Sequence, residues 1–194
     1  MKSILMAAAS LLKKEDQLLF GTEELGYYGS VAYDDFISSA DLAAQVGLTV
    51  GNWNGSLNDW LKFAYNGEIL YVAKQPFKNN LNKNHLKTAN IVSSETAKTV
   101  EIDGHIYRVM LISWPEWQDL MYRVHSSHPG GVEAWDSFTD AELGLGFCGS
   151  LVRDQITTNT SLNIGYNVIT HNGPTTDSIT ATTRGWRPVL KRIG

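Results

Sequence analysis

Two stretches of the chain alternate apolar and polar residues around a dipeptide suited to a tight turn. In WLKFAYNGEILYVAK (60–74) the pair Asn66-Gly67 supplies the positive φ angles of a two-residue hairpin. Pairing Tyr65 with Glu68 then sets Phe63 against Leu70 and Leu61 against Val72 on one face. The other face carries Lys62 with Tyr71 and Ala64 with Ile69, so the ribbon is expected to lay its apolar side on a core. In KTVEIDGHIYRVMLI (98–112) Asp103-Gly104 plays the same part. There Ile102 pairs with His105 and Val100 with Tyr107, and Val109 and Leu111 extend the apolar face.

The pattern changes period after the second hairpin. In SWPEWQDLMYRVH (113–125) Trp117, Leu120, Met121 and Val124 fall on one helical stripe. Ser113 and Glu116 form a capping box, and Pro115 is tolerated in the first turn. SSADLAAQVGL (38–48) predicts a shorter helix, capped by Ser39, burying Leu42, Ala43 and Val46, and ended by Gly47. Residues 21–35 read as an ordered connector or a short strand. From Ser126 to Thr183 the apolar residues are scattered among Gly, Ser, Thr, Asn and Asp. A structureless loop of that length does not suit a compact domain, so short strands and long ordered turns are expected there. TTRGWRPVLKRIG (182–194) then predicts a closing strand, with Trp186, Pro188 and Leu190 on one face and Arg187, Val189 and Lys191 on the exposed other. Pro188 marks that strand as an edge or irregular one.

The first residues, MKSILMAAASLLKKED, imitate a signal peptide, but charged residues stand where a small-residue cleavage site belongs. They are read as an Ala/Leu-rich helical arm over 1–20 that docks on something. The division expected is an arm and connector over 1–35 and an α+β body over 36–194.

Length and composition narrow the function. A chain of 194 residues, 43% hydrophobic and 19% charged, can bury a sizeable core without metals or disulfides. A net charge of −4 argues against nucleic-acid binding by bulk electrostatics. No apolar run is long enough to span a bilayer, so membrane insertion is not expected. The single cysteine, Cys148, excludes an intrachain disulfide or a dithiol redox centre and reads as a core thiol.

Candidate chemistry is sparse. His125 and His128, with Glu133 and Asp136 nearby, follow no metal-site spacing. GLGFCG (144–149) lacks the Lys-Ser/Thr ending of a phosphate loop. Asp34, Asp35, Asp136, Asp140 and Glu142 do not space as a calcium loop. Asp140 and Glu142 suit the first turn of a short helix. No nucleophile–base pair stands out, so no enzyme, metal or cofactor is expected.

The blocks DWLKFAYNGEILYVAKQP, EIDGHIYRVMLI, WPEWQDLMYRV and GWRPVL together resemble bacteriophage and prophage virion proteins, of the tail-fibre or tail-associated structural kind. The resemblance runs from about Ala40 to Ile193 and is most specific in the Trp60–Pro76 and terminal blocks. The GWRPVL ending is similar to the last strand of C-type-lectin-like domains, whose first and last strands lie together beneath long binding loops. The cysteine pair of that superfamily's oxidases and the Glu-Pro-Asn and Trp-Asn-Asp calcium triplets of its lectins are absent from this sequence. The resemblance therefore implies a scaffold without catalytic residues, located in the virion after synthesis in the host cytoplasm. It implies partners among other virion proteins and sister subunits, with Ile4, Leu5, Leu11 and Leu12 of the arm as assembly residues. The alternative it leaves is an adhesion module for a host-surface glycan or protein. That module would use the 126–183 loops, with His128, Trp135, Asn163, Tyr166 and His171 contacting the ligand.

Overall fold

The structure is a computed structural model and describes residues 17–54, 58–93 and 95–193. Most of the expected arm, including Ile4, Leu5, Leu11 and Leu12, lies outside the described residues. Where the description begins, the chain is not helical. β1 (Phe20–Gly21) and β2 (Leu25–Val31) lead into α1 (Ser39–Val46) and β3 (Asn52–Trp53). The first hairpin is β4 (Trp60–Tyr65) and β5 (Glu68–Ala73). β6 (Lys78–Asn79) and α2 (Lys83–Thr88) connect it to the second, β7 (Thr99–Ile102) and β8 (His105–Leu111). A helix, α3, follows over residues 114–124. Then come β9 (Gly149–Thr157), β10 (Thr160–Ile164), β11 (Asn172–Thr176), β12 (Arg184–Gly185) and β13 (Pro188–Arg192).

Both hairpins form in the expected register, Tyr65 opposite Glu68 and Ile102 opposite His105. Asn66 and Asp103 take positive φ, as do the glycines after them, which fixes each turn and with it every pair along the ribbon. The capping box of α3 is present: Glu116 N–H donates to Ser113 Oγ, and Ser113 N–H donates to Glu116 Oε2 at 2.8 Å. Its stripe of Trp117, Leu120, Met121 and Val124 is fully buried. The helix is not uniform, because Trp117–Met121 is wound as a π-helix between two short α-helical turns. In α1 the N-cap is Ser38, one residue before the predicted one, with Asp41 N–H donating to its Oγ. Gly47 ends that helix in the left-handed region.

The described strands assemble into a seven-stranded antiparallel sheet, a four-stranded sheet and a two-stranded ribbon. The large sheet runs β1-β2-β4-β5-β13-β8-β7, and the smaller runs β11-β10-β9-β12. β13 therefore lies between the two hairpins, pairing with β5 on one side and β8 on the other. It closes the fold as expected, but as a central strand instead of an edge. Pro188 is tolerated there because it is the strand's first residue. Among the described residues the first strands sit at one edge of this sheet, separated from β13 by β4 and β5.

The large sheet is buried on both sides. One cluster holds Tyr27, Leu61, Phe63, Leu70, Val72 and Val189 beneath α3 and the smaller sheet's Val152 and Ile164. The other holds Trp60, Ala73, Val109, Leu111 and Leu190 beneath α1 and α2. The hairpin face read as mixed is thus a second core face. Lys62 is buried in it with its ammonium 5.0 Å from the Tyr28 ring and 5.6 Å from the Tyr71 ring.

Candidate recognition site

The loops between α3 and β13 are held by a buried pair, Arg187 and Trp117. Strand alternation assigned Arg187 to the exposed face, yet its side chain is wholly buried. Its guanidinium donates to Ser150 Oγ at 2.9 Å, Ala73 O at 3.0 Å, Leu143 O at 2.6 Å and Lys74 O, and lies 5.3 Å from the Trp117 ring. Burial lowers its pKa from the usual arginine range, and the four acceptors take the place of water around the cation. Trp117 Nε1–H in turn donates to Ile169 O at 2.9 Å. One post therefore pins both the 139–148 loop and the 165–171 loop.

The two loops are also tied to each other. Asn167 N–H donates to Leu145 O at 2.8 Å, and Gly165 N–H closes the second loop on His171 O. Gly165 has φ +64, and a Cβ there would come within 2.6 Å of the Trp117 ring, so both the backbone angle and the packing require glycine. Residues 139–147 do not form the expected short helix. They form hydrogen-bonded turns in which Thr139 and Glu142 cap each other, and Thr139's two hydrogen bonds hold the Glu142 carboxyl below its usual pKa.

On this base Phe147 projects into solvent with 74% of its surface exposed, more than any other large hydrophobic residue described. Val168, 47% exposed, stands on the adjoining loop with Tyr166 and His171, whose rings meet edge to face at 5.8 Å. An exposed aromatic on a fixed loop is suited to anchor a partner, because little ordering entropy remains to be lost.

The five residues proposed from sequence do not converge on one surface. Tyr166 and His171 share the 165–171 loop. His128 takes a left-handed backbone after α3, its Nε2 2.9 Å from Asp136 O. Trp135 is buried against Tyr27 and Phe63, with the Arg123 guanidinium 5.0 Å from its ring. Asn163 is buried in β10, its amide donating to Thr183 O. In the sequence Phe147 is one of the scattered apolar residues of the 126–183 region. Its flanking Gly146 was the available signal, since a bulky apolar side chain there has little local cover.

His125 and His128 turn to different partners. His125 Nε2 lies 3.1 Å from Asp140 Oδ1, and its Nδ1 lies 2.8 Å from Ser127 Oγ and accepts Ser127 N–H. Two donors on Nδ1 assign the ring hydrogen to Nε2, toward Asp140. The hydroxyl–imidazole–carboxylate order closes a turn on exposed Ser127. Among the described residues no three His, Cys, Asp or Glu side chains converge as a metal site. Burial raises the Cys148 thiol to about 11, which makes it a poor nucleophile.

Comparison with protein-family models, curated proteins and solved structures gives no match.

Proposed function

We propose that the chain is a structural protein of a bacteriophage particle, associated with the tail, a fibre or the capsid surface. It assembles through its N-terminal arm and presents the loop face around Phe147 to a partner. The Trp60–Pro76 and terminal blocks of the sequence support the particle assignment. The exposure of Phe147 on loops fixed by Arg187 and Trp117 carries the presenting role. In this reading the body is C-type-lectin-like in use, a sheet scaffold beneath long loops, and does no chemistry. The Tyr166–His171 pair favours a second reading, in which the same face binds a host-surface glycan by stacking and hydrogen bonding.

Immunogold labelling of particles from a producing culture, with antibody to the purified chain, tests the assignment. Gold on particles is expected. Protein confined to the unassembled fraction would overturn it. A glycan array probed with wild type and Phe147→Ala separates the readings: binding lost in the variant selects the adhesion role.

A further inference from the structure

A cleft of about 300 Å³ opens between the turn end of the first hairpin, β13 and the start of α3. None of Phe147, Tyr166, Val168 and His171 lines it, so it is separate from the loop face. Leu70 and Met110, both buried, form its apolar floor. Two ion pairs stand around that floor. Lys191 Nζ lies 2.5 Å from Glu68 Oε2, and Arg153 holds Glu116 through two bonds of 2.7 and 2.5 Å. Arg153 also donates to Leu111 O at 2.8 Å, and Glu116 accepts the Ser113 N–H. The second pair is therefore fixed before any ligand arrives, which lowers the ordering cost of binding.

The hydrogen-bonding capacity left around the floor is mixed. Among the described residues, Lys191 uses one of the three donors of an ammonium, and Arg153 uses three of the five donors of a guanidinium, so two remain on each. Glu68 Oε1 keeps its lone pairs. Tyr65 O–H donates to Asp119 Oδ2 at 2.9 Å, which leaves only acceptor capacity on its oxygen. The two cations and two carboxylates cancel, so a charged ligand would have to break one pair to form another. A hydroxyl donates and accepts at once, so it adds to a remaining N–H and a remaining lone pair and disturbs neither pair.

We propose that this cleft binds a neutral polyhydroxylated ligand, a sugar unit, with its C–H face on Leu70 and Met110 and its hydroxyls on Lys191, Glu68, Arg153 and Tyr65. The volume is at the small end of the range for small-molecule sites, and an apolar floor with a few convergent polar groups is their usual construction. The site is additional to the loop face and does not rest on the presenting role of Phe147.

Titration of the full chain with glucose, galactose, mannose and N-acetylglucosamine, followed by the NMR signal of the Met110 methyl group, tests the assignment. A saturable shift with at least one of the four is expected. Glucuronate and glucosamine, which add a negative or a positive charge to the same ring, should bind several-fold more weakly than the neutral sugar. Lys191→Met removes the two remaining ammonium donors, and Glu68→Ala removes the carboxylate. Their side chains are 20% and 46% exposed, so the fold should tolerate either change, and each should weaken binding several-fold with melting unchanged. Phe147→Ala should leave it as in wild type. Four results would overturn the proposal: no saturable shift with any of the four sugars, tighter binding of a charged sugar, wild-type affinity in both rim variants, or loss of the shift in Phe147→Ala. The last would return sugar binding to the loop face, whereas failure of the loop-face reading leaves the Met110 shift intact.

Discussion

Arg187→Met removes the guanidinium while keeping most of the apolar stem. Four hydrogen bonds are lost, to Ser150 Oγ and the carbonyls of Ala73, Lys74 and Leu143. At a net value of about 1 kcal/mol each, which already includes exchange with water, the loss is roughly 4 kcal/mol. For a domain of this size each kcal/mol moves Tm by about 2–4 °C, so a fall of roughly 8–16 °C is expected. Arg187→Lys keeps the charge but not the planar fork, so it should lose about half as much. Urea and thermal unfolding followed by tryptophan fluorescence measure both, and amide exchange at residues 143–147 should quicken in Arg187→Met. A competing effect runs the other way, since methionine does not need to be desolvated as an ion. If Arg187→Met unfolds within about 1 kcal/mol of wild type, desolvation has cancelled the bonds and Arg187 does not hold the loops.

The Cys148 thiol rises from 9.0 in the unfolded chain to about 11 in the fold. The unfolded state therefore releases its proton first, and this contribution to stability is complete below pH 9 and lost as pH rises through 11. Cys148→Ala should flatten that alkaline loss, and native Cys148 should react with iodoacetamide at pH 8 only as fast as the protein opens; rapid native labelling would contradict its burial. Gly165→Ala should destabilise by about 1–2 kcal/mol from the positive φ alone, and more from the Trp117 contact, as measured by urea midpoints. Glu116→Gln weakens both the cap of α3 and the paired bonds from Arg153. A loss of about 1.5–3 kcal/mol is expected for these charge-assisted bonds, because the Arg153 side of the pair is partly exposed, read by circular dichroism melting.

Local chemistry made much of the fold legible. Asn66-Gly67 and Asp103-Gly104 set the strand registers because their backbone angles admit few alternatives, and Ser113 and Glu116 marked the start of α3. What the sequence concealed depends on residues far apart. Arg187 is buried because Ala73 and Leu143, 114 and 44 positions away, bring carbonyls to it, and alternation along one strand cannot show that. The second buried face of the first hairpin required α1 and α2 to cover Trp60 and Ala73. The same holds for the loops: the candidate residues all lie in one irregular region, but Trp135 and Asn163 turn inward while Phe147, flanked by glycine, turns out.

Amide hydrogen exchange of the chain, free and bound in the particle, tests the presenting face most directly. Protection at residues 145–147 and 166–171 is predicted on binding, and Phe147→Ala should abolish it with the free protein's melting unchanged. A bound chain whose amides in these two loops exchange as fast as in the free protein would contradict the account.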